Sequence, residues 1–284
     1  MIRVLLVFVA VLFVSIVIAA RIGAQRWKRK TRRLHARLHI ADGHVTPQRV
    51  DPASLGALPP PVRDYFLAAL TEGQPMLADV RLAHRGTFNS AERGEHWKPF
   101  ISDQRVTLAR PGLVWNGAIG WLPGLPVRVH DAYVDGEGIL HAALLGLVTV
   151  AAARDRHELA RGELMRFLAE AVWYPTVLLP GETLRWEPVD PHSALATLTD
   201  RDLAVSLRFT FGEDRLIESV YAAARGRTVR GRIEPTPWRG RFRNYQRWNG
   251  MQVPMEGEVA WIIDGRERPY WRGRLTDFAC HFTD

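Results

Sequence analysis

Apolar residues fill the start of the chain almost without interruption. Residues 4–20 are all apolar except Ser15, and a helix of roughly 20 such residues crosses a bilayer core of about 30 Å. A cleaved secretory signal has a shorter apolar core, a positive start and a small-residue cleavage site. Here only Arg3 precedes the run, and Ala19-Ala20 is a weak cleavage site. The pattern predicts an uncleaved, single-pass transmembrane anchor over residues 2–20.

A basic juxtamembrane segment follows at residues 21–40. It contains eight Lys and Arg residues and no acidic residue. Positive charge resists translocation, so the segment and the domain behind it are expected on the cytoplasmic side. A long following domain can override this rule, which leaves the extracytoplasmic side open. We expect the segment to contact anionic lipid headgroups, where each Lys or Arg contributes about 1 kcal/mol.

The pattern changes again between residues 41 and 61. This stretch contains five prolines and no sustained period, which is typical of an extended linker. Val62, Phe66 and Leu70 then recur at helical spacing after a proline start. We expect a short amphipathic helix there, at the start of a single β-rich globular domain over residues 62–284.

Most of that domain alternates between apolar and polar residues in short runs separated by Gly, Pro or Asp-Gly. A period of two is typical of half-buried β-strands, and the short connections favour antiparallel pairing. Val205, Leu207 and Phe209, for example, point one way, while Ser206 and Arg208 point the other. The segments predicted as strands are Arg81–Phe88, Arg105–Ala109, Leu113–Ile119, Val127–Tyr133, Ile139–Leu145, Val205–Phe211 and Leu216–Tyr221.

One strong helix interrupts the strands, from about Asp155 to Trp173. Asp155 and Glu158 have the spacing of a capping box, and Pro175 ends the helix. We expect its apolar face to pack in the core. That face consists of Leu164, Phe167, Leu168 and Ala171. The predicted fold class is therefore α+β, mostly β: an N-terminal transmembrane helix, then a curved antiparallel sheet (a half-open barrel) wrapped around one or two amphipathic helices.

Asn249-Gly250 between two alternating runs predicts a β-hairpin with a two-residue type I′ turn. A two-residue loop fixes which residues face each other across the two strands. The predicted pairs are Arg243 with Glu256, Arg241 with Glu258, Trp238 with Trp261, Phe242 with Gly257 and Trp248 with Met251.

The surplus of positive charge belongs to the N-terminal segment. The chain has 38 Lys and Arg and 30 Asp and Glu, and residues 1–40 hold nine of the basic residues and none of the acidic ones. The remainder is close to neutral, which argues against nucleic acid as a partner and favours membrane lipids. The arginines from Arg225 to Arg247 form either a solvated charge ladder or an anionic headgroup site. The second interpretation rests on Arg225, Arg227, Arg230 and Arg232.

No segment has the spacing of a known catalytic or metal site. The ten histidines are scattered, and no paired Cys/His spacing, Walker loop, Gly-x-Ser-x-Gly elbow or dinucleotide glycine fingerprint occurs. We therefore predict no metal and no cofactor, and the single cysteine, Cys280, allows no internal disulfide. An acid–base site assembled only by folding stays open. Its candidate members are Asp131, Glu163, Glu170 and His130.

Several phrases of the domain resemble those of a known family. They are Gly162-Glu-Leu-Met-Arg-Phe-Leu-Ala-Glu with Trp173-Tyr-Pro, Pro235-Thr-Pro-Trp-Arg-Gly-Arg-Phe, Gly257-Glu-Val-Ala-Trp and Pro269-Tyr-Trp-Arg-Gly-Arg. On these phrases the chain resembles a bacterial membrane-anchored family, domain of unknown function 6544, and this resemblance implies no activity. The order of its elements is also similar to the lipoprotein-carrier half-barrel of the LolA/LolB type. Carriers of that type work outside the cytoplasm, in conflict with the charge rule.

The aromatic residues of the domain suggest what it binds. Bulky aromatic side chains on the concave face of a curved sheet would form an apolar cleft suited to acyl chains. We therefore expect a membrane-anchored, non-enzymatic module that binds a lipid or another apolar ligand. The cleft residues predicted are Trp238, Phe242, Trp248 and Trp261. The alternatives are an envelope enzyme with an unrecognised acid–base site and a structural or assembly protein that docks a membrane partner.

Overall fold

The computed structural model describes residues 1–41, 49–91, 94–122, 125–153 and 156–283. Strands dominate these residues, with few helices. The α-helices are α1 (Ile2–Ala41), α2 (Pro60–Ala69) and α3 (Arg156–Glu170), and 3₁₀ helices span Pro52–Leu55, Ala171–Trp173 and Pro175–Leu178. The strands are β1 (Leu77–Asn89), β2 (Trp97–Thr107), β3 (Gly112–Leu122), β4 (Leu125–Val134), β5 (Glu137–Leu144), β6 (Val148–Ala152), β7 (Leu184–Asp190), β8 (Ser193–Asp200), β9 (Leu203–Phe211), β10 (Ile217–Val229), β11 (Arg232–Trp248), β12 (Met251–Ile263) and β13 (Arg266–Phe282).

The strands form one open antiparallel sheet. Their order is β6-β5-β4-β3-β2-β1-β13-β12-β11-β10-β9-β8-β7, so β6 and β7 are its two edges. Helix α3 contacts β4 and β5 near one edge and β9 and β10 near the other. Since one helix reaches strands so far apart in the order, the sheet must curve around it. The predicted fold class is confirmed.

The Asn249-Gly250 hairpin forms between β11 and β12 as predicted. Both residues have positive φ, 48° and 84°, as a type I′ turn requires. All five predicted cross-strand pairs are confirmed. The ion pairs of this hairpin reach a third strand. Arg241 binds Glu267 on β13 rather than Glu258, the residue opposite it.

Helix α3 and the 3₁₀ helix after it lie inside the curved sheet. The four residues of the predicted apolar face are all fully buried and belong to the main core cluster. Burial of large apolar side chains fixes the helix in place, each contributing roughly 1.5–3 kcal/mol. The N-cap prediction for Asp155 lies outside the described residues.

Helix α1 has two different halves. Its apolar half has a mean hydropathy of 3.0 and is exposed, and it is long and apolar enough to cross a membrane. The basic half packs on the outer face of the sheet, against β2, β3 and β4. Trp27 and Leu38 are only 2% and 1% exposed there. One side of the basic segment is thus a packing surface, while most of its Lys and Arg side chains stay in solvent.

The predicted linker contains ordered structure. Residues 42–48 lie outside the described residues, but Val50 and Leu55 are buried in the main core cluster. Helix α2 begins at Pro60, two residues before the predicted start of the domain. The domain boundaries themselves stay a prediction.

Candidate binding cavity on the concave face

A cavity of about 390 Å³ lies between α3 and the concave face of the sheet. Its volume falls within the ~300–1,000 Å³ typical of small-molecule sites. Alternation along β4 and β5 sends Val127, Val129, Leu140 and Ala142 to this face, where they line the wall. The other apolar lining residues include Phe88, Trp115, Ile119, Val150, Ala151, Ala169, Trp173, Trp238, Phe242, Val259, Tyr270 and Trp271.

A cluster of charged side chains closes the helix side of the cavity, centred on Arg166 of α3. The guanidinium donates to Glu170 Oε1 at 2.7 Å, to Asp131 Oδ2 at 2.8 Å and to Gln104 Oε1 at 3.2 Å. Its side chain is 15% exposed, and those of Asp131 and Glu170 are 24% and 16% exposed. Arg166 also lies over the Trp115 ring, 5.6 Å from the ring centre. These contacts pair both carboxylates and fasten α3 to β2 and β4.

Glu163 is the third acid of the cluster and has the weakest contacts. Its Oε2 is 3.7 Å from Arg166 Nη1, beyond hydrogen-bond distance, and this oxygen has no hydrogen-bond partner among the described residues. Burial, reinforced by the negative charge of Asp131, raises the pKa of Glu163 well above its usual value. We therefore treat Glu163 as a neutral acid at pH 7.

Arg225 of β10 enters the cavity from the other side. Its guanidinium donates to Tyr270 Oη at 3.2 Å and to the Gly162 carbonyl at 3.3 Å. The carbon of the guanidinium lies 5.1 Å from the Trp238 ring centre and 5.8 Å from that of Trp261. The side chain is only 11% exposed, and Nε has no hydrogen-bond partner within the described ranges.

His84 of β1 is a second buried polar side chain without partners. It is 3% exposed, and neither ring nitrogen is hydrogen-bonded to any described residue. The rings of Trp173 and Trp271 contact it edge-on, with centroids 5.0 and 5.6 Å away. Burial lowers the pKa of His84 to about 4, so the imidazole is neutral at pH 7.

The four predicted cleft aromatics separate into two groups. Trp238 and Phe242 line the cavity, while Trp261 lies behind the lining and stacks on Tyr270 at 5.6 Å. Trp248 is 36% exposed and packs edge-on against Phe278. Trp248 is six positions after Phe242, roughly 20 Å along a strand, and it therefore lies beyond the end of the cavity.

The four arginines predicted to bind a headgroup do not lie together. Only Arg225 reaches the cavity. Arg227 donates to Thr236 Oγ1 at 3.4 Å on the neighbouring strand. Arg230, with φ 49°, lies in the turn between β10 and β11, and Arg232 is exposed just after it.

The candidate acid–base residues come together with one exception. Asp131, Glu163 and Glu170 all contact Arg166. His130 points to the opposite face because neighbours in a strand alternate. There its Nε2 lies 2.7 Å from Thr31 Oγ1, and its ring stacks on Trp27 at 3.9 Å.

Arg166 is the central residue that sequence reasoning missed. Its position three residues after Glu163 and four before Glu170 places all three on one helical face. This spacing is visible in the sequence, whereas the approach of Asp131 depends on how the sheet curves. Among the described residues no group of three or more His, Cys, Asp or Glu side chains is arranged to hold a metal ion.

A larger cavity of about 670 Å³ lies at the other end of the core, beside the 3₁₀ helix Pro175–Leu178. Its charged lining residues are Arg110, Asp200 and Arg201. Arg110 and Arg201 belong to exposed turns, and Asp200, at the end of β8, already accepts a hydrogen bond from Tyr133 at 2.6 Å. The smaller cavity is the better candidate site because its polar groups are buried and incompletely paired.

Comparisons with known proteins give a family and two similar structures. The family described as "Family of unknown function (DUF6920)" matches residues 56–279. The resemblance to domain of unknown function 6544 is therefore wrong; the phrases behind it are mostly short sheet segments, which are weakly specific. No curated protein matches the chain.

Both similar structures are distant in sequence. A crystal structure of a LolA superfamily protein from Nitrosomonas europaea has 12% identity and a TM-score of 0.40, covering 76% of this chain and 92% of that one. A beta-barrel-like protein of domain of unknown function 1849 from Brucella abortus has 9% identity and a TM-score of 0.23, covering 73% of this chain and 99% of that one.

Proposed function

The chain belongs to the DUF6920 family, whose function is unknown, and we propose that it is a membrane-anchored, non-enzymatic module that holds a lipid or another apolar ligand. The observation that carries this proposal is the 390 Å³ cavity between α3 and the concave face. Its wall is built mainly from aromatic and aliphatic side chains, the surface that acyl chains prefer.

The position of α1 supports a role at the membrane. Gly23 packs so closely on the turn before β6 that a Cβ there would come within 2.2 Å of the Leu145 carbonyl oxygen. Strand β6 therefore starts about one helical turn from the proposed span. Val148 and Val150 on this edge strand are 62% and 56% exposed, and Val150 and Ala151 also line the cavity. In the proposed arrangement, this apolar edge lies at the bilayer surface and the cavity opens next to it.

The charged cluster supports a binding role over catalysis. Asp131 and Glu170 are both held by Arg166, an arrangement that fixes α3 rather than freeing a carboxylate to move protons. The second candidate is an acid–base enzyme, and the raised pKa of Glu163 beside a cavity is the observation in its favour.

The test is extraction of small molecules from the full chain, purified in detergent. We expect an apolar molecule to copurify with the wild type. Ala142→Phe, which fills the cavity wall, should strongly reduce its amount, and Ala223→Phe, at an exposed position of β10, should leave it unchanged. A wild-type protein without any bound molecule would contradict the proposal.

Glu163→Gln separates the two candidates. A binding module carrying this substitution should yield the same molecule as the wild type. An enzyme would instead yield substrate from the variant and product from the wild type.

The orientation of the domain needs a separate measurement. We propose a cytoplasmic domain, because most of the basic residues of α1 remain exposed and favour that side. A reporter fused to the C-terminus distinguishes the sides, and activity outside the cytoplasm would overturn this orientation.

A further inference from the structure

Arg225 is a buried cation to which no carboxylate of the described chain is hydrogen-bonded. Its nearest carboxyl oxygen, Glu163 Oε1, is 3.9 Å away, too far for a hydrogen bond. The other carboxylates of the cavity are held elsewhere. Asp131 and Glu170 bind Arg166, and Glu258 accepts from Arg272 Nε at 2.6 Å.

The guanidinium of Arg225 is nevertheless held firmly. The Trp238 and Trp261 rings face it, and such faces attract a cation without neutralising it. Tyr270 Oη and the Gly162 carbonyl accept two of its N–H groups. A cation that is kept out of water in this way costs free energy unless an anion approaches it.

Tyr270 adds a donor beside Arg225. Its hydroxyl oxygen accepts from Arg225 at 3.2 Å and from the Trp238 indole at 3.0 Å. Both lone pairs of the oxygen are then used, so its hydrogen is available to donate. No acceptor for this hydrogen is present in the described part of the chain, although Tyr270 lines the cavity.

We propose that Arg225 and Tyr270 form a receptor for an anionic headgroup, a carboxylate or a phosphate, of an amphipathic ligand whose apolar chain lies along Trp115, Val129 and Leu140. This inference rests on the proposed function and names the chemical class of the ligand. The raised pKa of Glu163 supports it, because a neutral Glu163 leaves the charge of Arg225 uncompensated. A planar guanidinium binds carboxylate or phosphate through two hydrogen bonds at once.

The competing position for a headgroup is the mouth of the cavity. Lys98 of β2 lines the cavity and is half-buried. A headgroup left at the mouth would bind Lys98 instead of Arg225. Lys98→Gln is therefore the matched control for Arg225→Gln.

The experiment measures radiolabelled dodecanoate, dodecyl phosphate and dodecanol on the full chain in nanodiscs of zwitterionic phospholipid, against empty nanodiscs. We expect the wild type to bind at least one of the anions about ten- to a hundredfold more tightly than dodecanol. Comparing the two anions identifies the headgroup. Arg225→Gln should remove the preference and leave dodecanol binding unchanged, and Lys98→Gln should keep the preference.

Three results would overturn the receptor. The wild type could bind all three molecules equally, or the preference could vanish in Lys98→Gln and survive in Arg225→Gln. Glu163→Gln could also raise the affinity for both anions strongly, which would mean that an ionised Glu163 neutralises Arg225. Failure of all three molecules to bind, dodecanol included, would instead count against the proposed function itself.

Discussion

Each face of the sheet buries a histidine against tryptophan, but only one of the two histidines is hydrogen-bonded. On the outer face, His130 contacts Thr31 Oγ1 at 2.7 Å, and the Trp27 indole donates to Asn116 Oδ1 at 2.8 Å. On the concave face, His84 lacks a partner among the described residues. The polar groups named on the outer face are paired, whereas His84, which contacts two tryptophans of the cavity wall, is not.

The two faces also differ in where they place their charged side chains. The outer face keeps most of the basic residues of α1 in water. The concave face buries Arg166 and Arg225, and of these two only Arg166 is hydrogen-bonded to carboxylates. One face is therefore suited to holding α1 in place, and the other to binding a ligand.

The largest effect is expected from breaking the Arg166 cluster. Arg166→Met removes the cation shared by Asp131 and Glu170, and leaves both carboxylates partly buried, Glu170 with only its hydrogen bond from Gln104 at 2.6 Å. Loss of one partner from such a buried group costs about 3–5 kcal/mol. The free energy of unfolding in denaturant measures it. The control is Arg243→Met, whose partner Glu256 is at 3.1 Å on an exposed strand, and a cost of only about 0–1 kcal/mol is expected there. Equal costs would show that the cluster does not stabilise the fold.

Trp27→Ala tests the outer face and should have the next largest effect. Truncating a fully buried tryptophan costs about 3–5 kcal/mol, and we expect the lower end because α1 packs on the sheet by one side only. Hydrogen exchange across residues 23–38 should accelerate as the helix detaches from the sheet. Trp248→Ala, at a 36% exposed site, is the control and should leave α1 protected. Unchanged exchange in Trp27→Ala would mean that Trp27 is not needed for this contact.

The pH dependence of stability separates Glu163 from the paired carboxylates. Its pKa is raised in the folded state, mainly by burial. Below the ordinary glutamate pKa of about 4.3, Glu163 is protonated in both the folded and the unfolded protein, so its contribution to stability is fully present there. Above it the unfolded chain releases the proton first, and stability falls as pH rises, by up to about 1.4 kcal/mol per pH unit.

Glu163→Gln should remove this contribution. The difference in unfolding free energy between wild type and variant, measured between about pH 5 and 7, isolates Glu163 from the histidines. The histidines contribute with the opposite sign, because burial lowers the pKa of His84 and of His130. A difference that does not change with pH would show that Glu163 ionises normally.

Much of the fold could be predicted because local rules determine it. Asn249-Gly250 fixes a turn that accepts positive φ, and the register of β11 and β12 follows. The apolar face of α3 likewise follows from helical spacing. The cavity could not be derived in this way. Arg225 meets α3 only because the sheet curves until β4 and β10 face the same helix.

The alternation of side chains along a strand could have excluded one residue from the candidate acid–base site. His130 and Asp131 are neighbours in β4, so a strand assignment already places them on opposite faces. Grouping them as one acid–base site contradicted the strand predicted over the same residues. Trp248 and Phe242 show what the strand pattern could not predict. The hairpin pairs were right, but the extent of the cavity along β11 depends on where α3 and its 3₁₀ continuation end.

The smallest and sharpest test exchanges each buried histidine for leucine. His84→Leu removes two polar nitrogens that lack partners and should stabilise the protein by about 1 kcal/mol. His130→Leu removes the hydrogen bond between the sheet and Thr31, whose hydroxyl keeps only its bond to the Trp27 carbonyl, and should destabilise the protein by about the same amount. Opposite signs in the unfolding free energy would confirm that His84 is unpaired and that His130 is held by Thr31. If both substitutions destabilise the protein, His84 has a partner in solution, and a water or a bound ligand on the cavity side is the group that must then be identified.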